Sequence, residues 1–106
     1  MSDAWIYIVT NRRDGTLYVG VTSNLAQRIW QHKEGLVEGF TKRYNLKRLV
    51  YVEHHDDIRN AIQREKNLKL WSRAWKVALI AADDPDWNDL YDRLAQVRRW
   101  PGRARL

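Results

Sequence analysis

Two apolar runs around a polar turn open the chain. Trp5 to Val9 is uninterrupted apolar or aromatic, the pattern of a strand covered on both faces. Thr10 to Thr16 is polar, with Asp14-Gly15 as its turn signal, and Leu17 to Val21 is the second run, so residues 5–21 predict a hairpin with a long tip. Thr22-Ser23-Asn24 then offers caps for a helix over 25–34 that Gly35 ends, and Gln27 stands three residues after Asn24 as a capping-box partner. Residues 35–47 are polar and basic with two glycines, a loop for which Phe40 is the expected anchor. Arg48 to His54 is β-branched and aromatic, a third strand. Asp56 or Asp57 caps a long helix to about Trp71, Ser72 caps another over 73–82, and Asp83-Asp84-Pro85-Asp86 breaks it before a last helix from Trp87 to about Arg99. The order predicts an α+β domain, a small three-stranded antiparallel sheet flanked by helices, over residues 1–96, with a basic, flexible tail over 97–106.

Composition narrows the field. A chain of 106 residues has room for one core, which excludes a multidomain enzyme, a large cofactor-binding fold and a solenoid. With no cysteine there is neither a disulfide framework nor a thiolate zinc site. No apolar run is long enough to span a membrane and the N-terminus lacks a signal-peptide pattern, so a soluble cytoplasmic protein without an obligate protein partner is expected. Nineteen Lys and Arg against thirteen Asp and Glu give a formal charge of +6, which points weakly to a polyanionic partner. Six tryptophans and five tyrosines are enough aromatic area to build much of a small core, so their number alone says nothing of base stacking.

The informative positions are polar residues that fall on apolar helix faces. In the first helix Leu25 and Ile29 set the inward stripe, and Arg28 and His32 lie on it or at its border. In the long helix Ile58, Ala61, Ile62 and Leu68 set the stripe, and Glu65 falls within it. A carboxylate there needs a compensating cation: a salt bridge to Arg28 or a bound divalent ion would serve. In the hairpin, Tyr7 shares a face with Trp5 and Val9, and Tyr18 shares one with Gly20, which leaves space over the sheet where a ligand or backbone can approach.

Trp5-Ile6-Tyr7, ten residues, then Tyr18-Val19-Gly20 resembles the paired motif of the GIY-YIG nuclease superfamily, and most of all its small stand-alone bacterial group. Gly20-Val21-Thr22-Ser23-Asn24-Leu25 followed by Arg28 and His32 is similar to the next block, and Glu65 in Arg64-Glu65-Lys66 to the family's metal-binding glutamate. Trp5 stands where the first motif has glycine and Val19 where the second has isoleucine. No position matches convincingly the polar residue, usually asparagine, that follows the glutamate in several branches; Asn67, Lys76 and Asn88 are the stand-ins.

The resemblance implies a metal-dependent endonuclease that hydrolyses phosphodiester bonds in DNA with one Mg²⁺ or Mn²⁺. Glu65 would be the protein's carboxylate on the metal, Arg28 the donor to the phosphate oxygens, and Tyr7, Tyr18 or His32 the acceptor of the water's proton, with a tyrosine supported by His32 as the favoured arrangement. Arg12 and Arg13 in the hairpin tip, and Lys42, Arg43, Lys47 and Arg48 after the first helix, are expected to reach phosphates, while Arg98, Arg99, Arg103 and Arg105 form an electrostatic arm. With no room for a second DNA-binding domain, a single-stranded or branched substrate and weak sequence preference follow. Two rivals stand beside this reading. One is a non-catalytic nucleic-acid-binding module of the same fold; the other is a protein-interaction domain presenting Trp71, Trp75 and Trp87.

Overall fold

The structure, a computed structural model, describes residues 3–96. Strands β1 (Ala4–Thr10) and β2 (Leu17–Thr22) form the hairpin, and β3 (Arg48–His55) adds to the other side of β1, giving an antiparallel sheet of order β2-β1-β3. Helices α1 (Leu25–Lys33), α2 (Phe40–Arg43), α3 (Ile58–Leu70), α4 (Arg73–Asp83) and α5 (Tyr91–Gln96) complete the order. The expected α+β architecture is present. Among the described residues no helix is long and apolar enough to cross a membrane.

β1 is buried on both faces because it is the central strand with helices above and below. Ile6 and Ile8 join Val19, Val50, Tyr51, Ala61, Leu68, Ile80 and Trp87 in one core, beneath α3 and α4. Tyr7 and Val9 join Leu25, Ile29, Leu46, Leu49, Val52 and Leu90 in the other, beneath α1 and α5. A register shift opposite Ile8 and Val9 leaves Val50 as an extra residue in β3, so Val50 and Tyr51 turn to the same core although adjacent in sequence.

The caps at three helices are the anticipated ones. The Asn24 side chain accepts from the Gln27 amide and donates to the Gln27 side chain. Asp57 caps α3 and Ser72 caps α4. Two expectations fail. The segment predicted as a loop on Phe40 contains α2, and Phe40 is 46 % exposed while Thr41 and Leu46 are buried. The Leu46 amide donates to the Thr41 carbonyl across this turn, so those two side chains anchor it and Phe40 is held outward. The last helix begins at Tyr91 rather than Trp87. Trp87 instead sits at φ 57° in a turn closed on the Asp84 carbonyl, with its ring buried. The expected continuation of that helix to Arg99 and the basic tail 97–106 lie outside the described residues.

The stretch after that turn seals the β3 edge. The Leu90 amide donates to the Leu49 carbonyl, the Leu49 amide to Asp89, and Arg48 to the Trp87 carbonyl at 3.0 Å. On the opposite face Arg64 of α3 grips Glu53 of β3 with two 2.9 Å hydrogen bonds. Burial pushes the Glu53 carboxyl up, but the donors Arg64, Tyr51 and His55 outweigh it and hold it below the ordinary value. This clamp fixes the rotation of α3, and with it the direction of the neighbouring Glu65.

Candidate active site

Tyr7 occupies the centre of the sheet because its cross-strand partner is Gly20. A Cβ on Gly20 would lie 2.4 Å from both Cζ and the hydroxyl of Tyr7. The space that the glycine was expected to leave for a ligand is therefore filled by the Tyr7 phenol. Gly20→Ala is expected to cost about 1–3 kcal/mol, as overpacking of a dense core does. Urea unfolding measures it; an unchanged midpoint would mean that the phenol moves aside freely.

The Tyr7 hydroxyl lies 2.9 Å from His32 Nε2 and accepts from Arg28 Nε at 3.4 Å. His32 Nδ1 lies 3.2 Å from Thr41 Oγ1. With Arg28 donating to the phenol oxygen, every group is satisfied if Tyr7 donates to Nε2 and Nδ1–H donates to Thr41; this tautomer is assigned from the network. Both Tyr7 and His32 are buried. Burial, against the hydrogen bond and charge of Arg28, raises the Tyr7 phenol to about 12. Burial, aided by the Arg28 charge, lowers His32 from the usual 6.5 to about 4.

The low His32 value has a consequence for stability. Below pH 6.5 the unfolded chain binds a proton at His32 that the native protein refuses until about pH 4. Stability therefore falls as pH drops through that window, by at most about 1.4 kcal/mol per pH unit. Denaturant unfolding at pH 7 and pH 5 should show this loss in the wild type and a smaller one in His32→Gln. An equal loss in both would refute the assignment.

Tyr18 is placed differently. Its ring centroid lies 6.5 Å from that of Tyr7 and 6.0 Å from that of His32. It is half-buried, and its hydroxyl has no hydrogen-bond partner among the described residues and is not sealed from solvent. Lys69 of α3 stands 5.6 Å from the Tyr18 ring centroid. The same ammonium pairs with Glu65 Oε2 at 2.8 Å, one helical turn back. Glu65 is thus compensated by Lys69, not by Arg28 as the sequence allowed. Its side chain is 15 % exposed, and Oε1 has no partner among the described residues. The five residues singled out in the sequence are brought together from β1, β2, α1 and α3, but not as equals. Tyr7 and His32 form a sealed layer, while Tyr18, Arg28 and Glu65 are partly open above it.

The basic residues divide similarly. Arg12 and Arg13 are exposed on the hairpin tip, Lys42 and Arg43 on α2, and Lys47 just before β3. Arg48 is half-buried, with its guanidinium committed to the Trp87 carbonyl. The expectation that it reaches phosphate from a loop is corrected: it is a strand residue engaged in sealing the edge. Arg28 also borders an open recess of about 220 Å³ lined by Thr22, Asn24 and Gln27. Arg12 and Arg73 border a second, of about 270 Å³, beneath the tip. Arg73, Lys69 and Thr41 escaped the sequence reading, since each looks like an ordinary surface residue of its element. The three-tryptophan face is absent: Trp87 is buried and Trp71 partly so, leaving Trp75 alone well exposed, at 63 %.

A metal fits Glu65 by donor chemistry. A partly exposed carboxylate with one oxygen unpaired among the described residues suits Mg²⁺ or Mn²⁺, which keep most of their water. Among the described residues one group of three potential ligands also occurs, Asp3, His54 and Asp56. It lies on β3 and the adjoining ends, contains none of the five residues, and is accounted for by a 2.8 Å His54–Asp3 ion pair.

Comparison with known proteins bears on the family and the fold. The family model described as the GIY-YIG catalytic domain matches residues 3–78. A UPF0213 protein of Staphylococcus saprophyticus is 37% identical over 81 residues, covering 76% of this chain and 98% of that one. A UPF0213 protein of Natronomonas pharaonis is 35% identical over 80 residues, covering 76% and 93%. The solution NMR structure of a UPF0213 protein from Bacillus halodurans superposes with a TM-score of 0.52 at 25% identity, covering 82% of this chain and 92% of that one.

Proposed function

The chain belongs to the GIY-YIG catalytic domain family, a nuclease fold, and from that premise we propose that it is a metal-dependent endonuclease acting on single-stranded or branched DNA with weak sequence preference. The observation that carries the reading is the arrangement around one tyrosine pair: Arg28 of α1 donates to the Tyr7 hydroxyl, and Glu65 of α3 pairs with the Lys69 that stands by the Tyr18 ring. A pure binding site for a polyanion has no use for a carboxylate there.

In this proposal water attacks phosphorus in line and the P–O3′ bond breaks, leaving a 5′-phosphate and a 3′ oxygen that takes a proton from solvent to become a hydroxyl. Tyr18, rather than Tyr7, is the group that takes the water's proton, because a base must touch the water it deprotonates and Tyr7 is sealed. Arg28, held by Tyr7 and Gln31, donates to the non-bridging oxygens as charge builds on them. His32 supports by fixing the Tyr7 phenol, which positions Arg28. Glu65 would hold a divalent cation, which would supply Lewis-acid stabilisation of the charge that builds on the leaving group. Arg12, Arg13, Lys42, Arg43 and Lys47 hold flanking phosphates, so affinity should fall steeply with salt.

The Lys69–Glu65 pair favours a second reading, a nucleic-acid-binding module without turnover in which Lys69 has taken the cation's place. One assay separates the two. The pure protein is incubated with labelled single-stranded, branched and duplex DNA and with RNA, with Mg²⁺, with Mn²⁺ and with chelator. Cleavage that needs the metal supports the enzyme; binding without cleavage under every condition supports the module.

A further inference from the structure

The α2 turn holds an aromatic surface that the hydrolytic scheme leaves unused. Thr41 and Leu46 point inward, the first onto His32, and so fix the orientation of the turn. Phe40 and Tyr44 are four residues apart and share its outer side. Both are 46 % exposed, with ring centroids 4.8 Å apart. Phe40 also stacks on Tyr18, at 6.4 Å between centroids and 29° between planes. An aromatic path therefore runs without a break from the candidate base at Tyr18 to open solvent.

Cations flank the path. Lys69 lies by the Tyr18 ring, and Arg43 lies 5.8 Å from the centroid of Tyr44. Lys42 on the same turn is exposed, tied only to the exposed Glu38 at 3.4 Å. Two large apolar rings left half in water are costly unless something covers them. Positive charge at their margins selects a partner that is flat, apolar on its faces and anionic at its edges. Bases of an unpaired nucleic-acid strand meet all three conditions, whereas bases within a duplex have no free face to offer.

We propose that Phe40 and Tyr44 form a stacking platform for unpaired bases beside the scissile phosphate, and that this platform makes the site select single-stranded or flapped DNA. The inference rests on the hydrolytic reading for the position of the scissile phosphate, but not for the binding itself. Specificity for strand state then comes from the 40–44 turn, with phosphates held by Lys42 and Arg43 of the same turn.

The test uses the full chain in chelator, where no cleavage occurs, with a fluorescein-labelled single-stranded 12-mer carrying 2-aminopurine. Wild type should bind it with quenching of the 2-aminopurine. Phe40→Ala and Tyr44→Ala should each weaken binding roughly tenfold, the magnitude of one lost base–aromatic stack, and remove the quenching. Phe40→Tyr should restore both. The slope of affinity against salt should not change, since no charge is removed. Affinity for a blunt duplex of the same sequence should not change either. Circular dichroism and the melting temperature check that these exposed substitutions leave the fold intact. Unaltered single-strand binding in both alanine variants overturns the platform, and that is also the outcome if the rings serve a protein partner. Equal losses on the blunt duplex, or no single-strand binding by the wild type, overturn it too. Ring-dependent binding without metal-dependent cleavage leaves the platform standing and sinks the hydrolytic reading; cleavage with ring-independent binding does the reverse.

Discussion

Glu65→Ala is expected to lower the metal-dependent cleavage rate by about 10³-fold while leaving DNA binding intact or slightly tighter. Losing Lewis-acid help worth several kcal/mol accounts for a factor of that size. Tighter binding follows because the lost carboxylate repels phosphate and its loss releases Lys69 from their ion pair. Stability should hardly move: the Glu65–Lys69 pair is partly exposed, and such pairs contribute at most about 1 kcal/mol. Single-turnover cleavage, anisotropy binding in chelator and thermal melting together read all three quantities. Asp56→Ala supplies the control, since Asp56 belongs to the other acidic group, and its cleavage rate should match wild type. Wild type and Glu65→Ala sharing the same trace nicking would mean that the activity is a contaminant. A loss confined to Asp56→Ala would move the metal to the Asp3–His54–Asp56 group.

The parts of this protein legible in its sequence are those fixed by local rules. Trp5 to Val9 announces a central strand because both its faces need apolar cover, and Asn24 with Gln27 announces a helix start through hydrogen bonds between neighbours. Arg28, His32 and Glu65 were noticeable because each breaks an apolar stripe. The failures at Trp87 and Phe40 share one cause, a partner distant in sequence. Nothing near Trp87 reveals that Arg48, thirty-nine residues earlier, donates to its carbonyl while its ring enters the core. Phe40 looked like an anchor on hydrophobicity alone, yet the anchor is Thr41, whose hydroxyl meets His32. Glu65 is the exception: Lys69 lies one turn along, so their pairing is a local pattern, and only the border of Lys69 with Tyr18 depends on the fold. Tyr7 and Tyr18 looked equivalent in their motifs. Only the sheet register, which sets Tyr7 over Gly20 and Tyr18 beside Val9 at the outer strand, separates a sealed phenol from an open one.

That separation yields the sharpest kinetic contrast. Tyr18→Phe is expected to reduce the cleavage rate by about 10²–10⁴-fold, the range for loss of a general base, with little change in unfolding midpoint. The hydroxyl it removes makes no hydrogen bond to a described residue, so nothing buried is left unpaired. Tyr7→Phe should behave in the opposite way. It strips the partner from the buried His32 Nε2, which costs about 1–3 kcal/mol of stability for a buried unpaired group, and from the half-buried Arg28 Nε. Its cleavage rate should fall less than that of Tyr18→Phe, because Arg28 is displaced rather than lost, and Gln31 still holds it from the other side. The two variants therefore separate on two axes: a rate defect in a stable protein for Tyr18, a stability defect with a smaller rate effect for Tyr7. Should Tyr7→Phe show the greater rate loss and Tyr18→Phe turn over normally, the base is Tyr7, and the layer above it must open for water to enter.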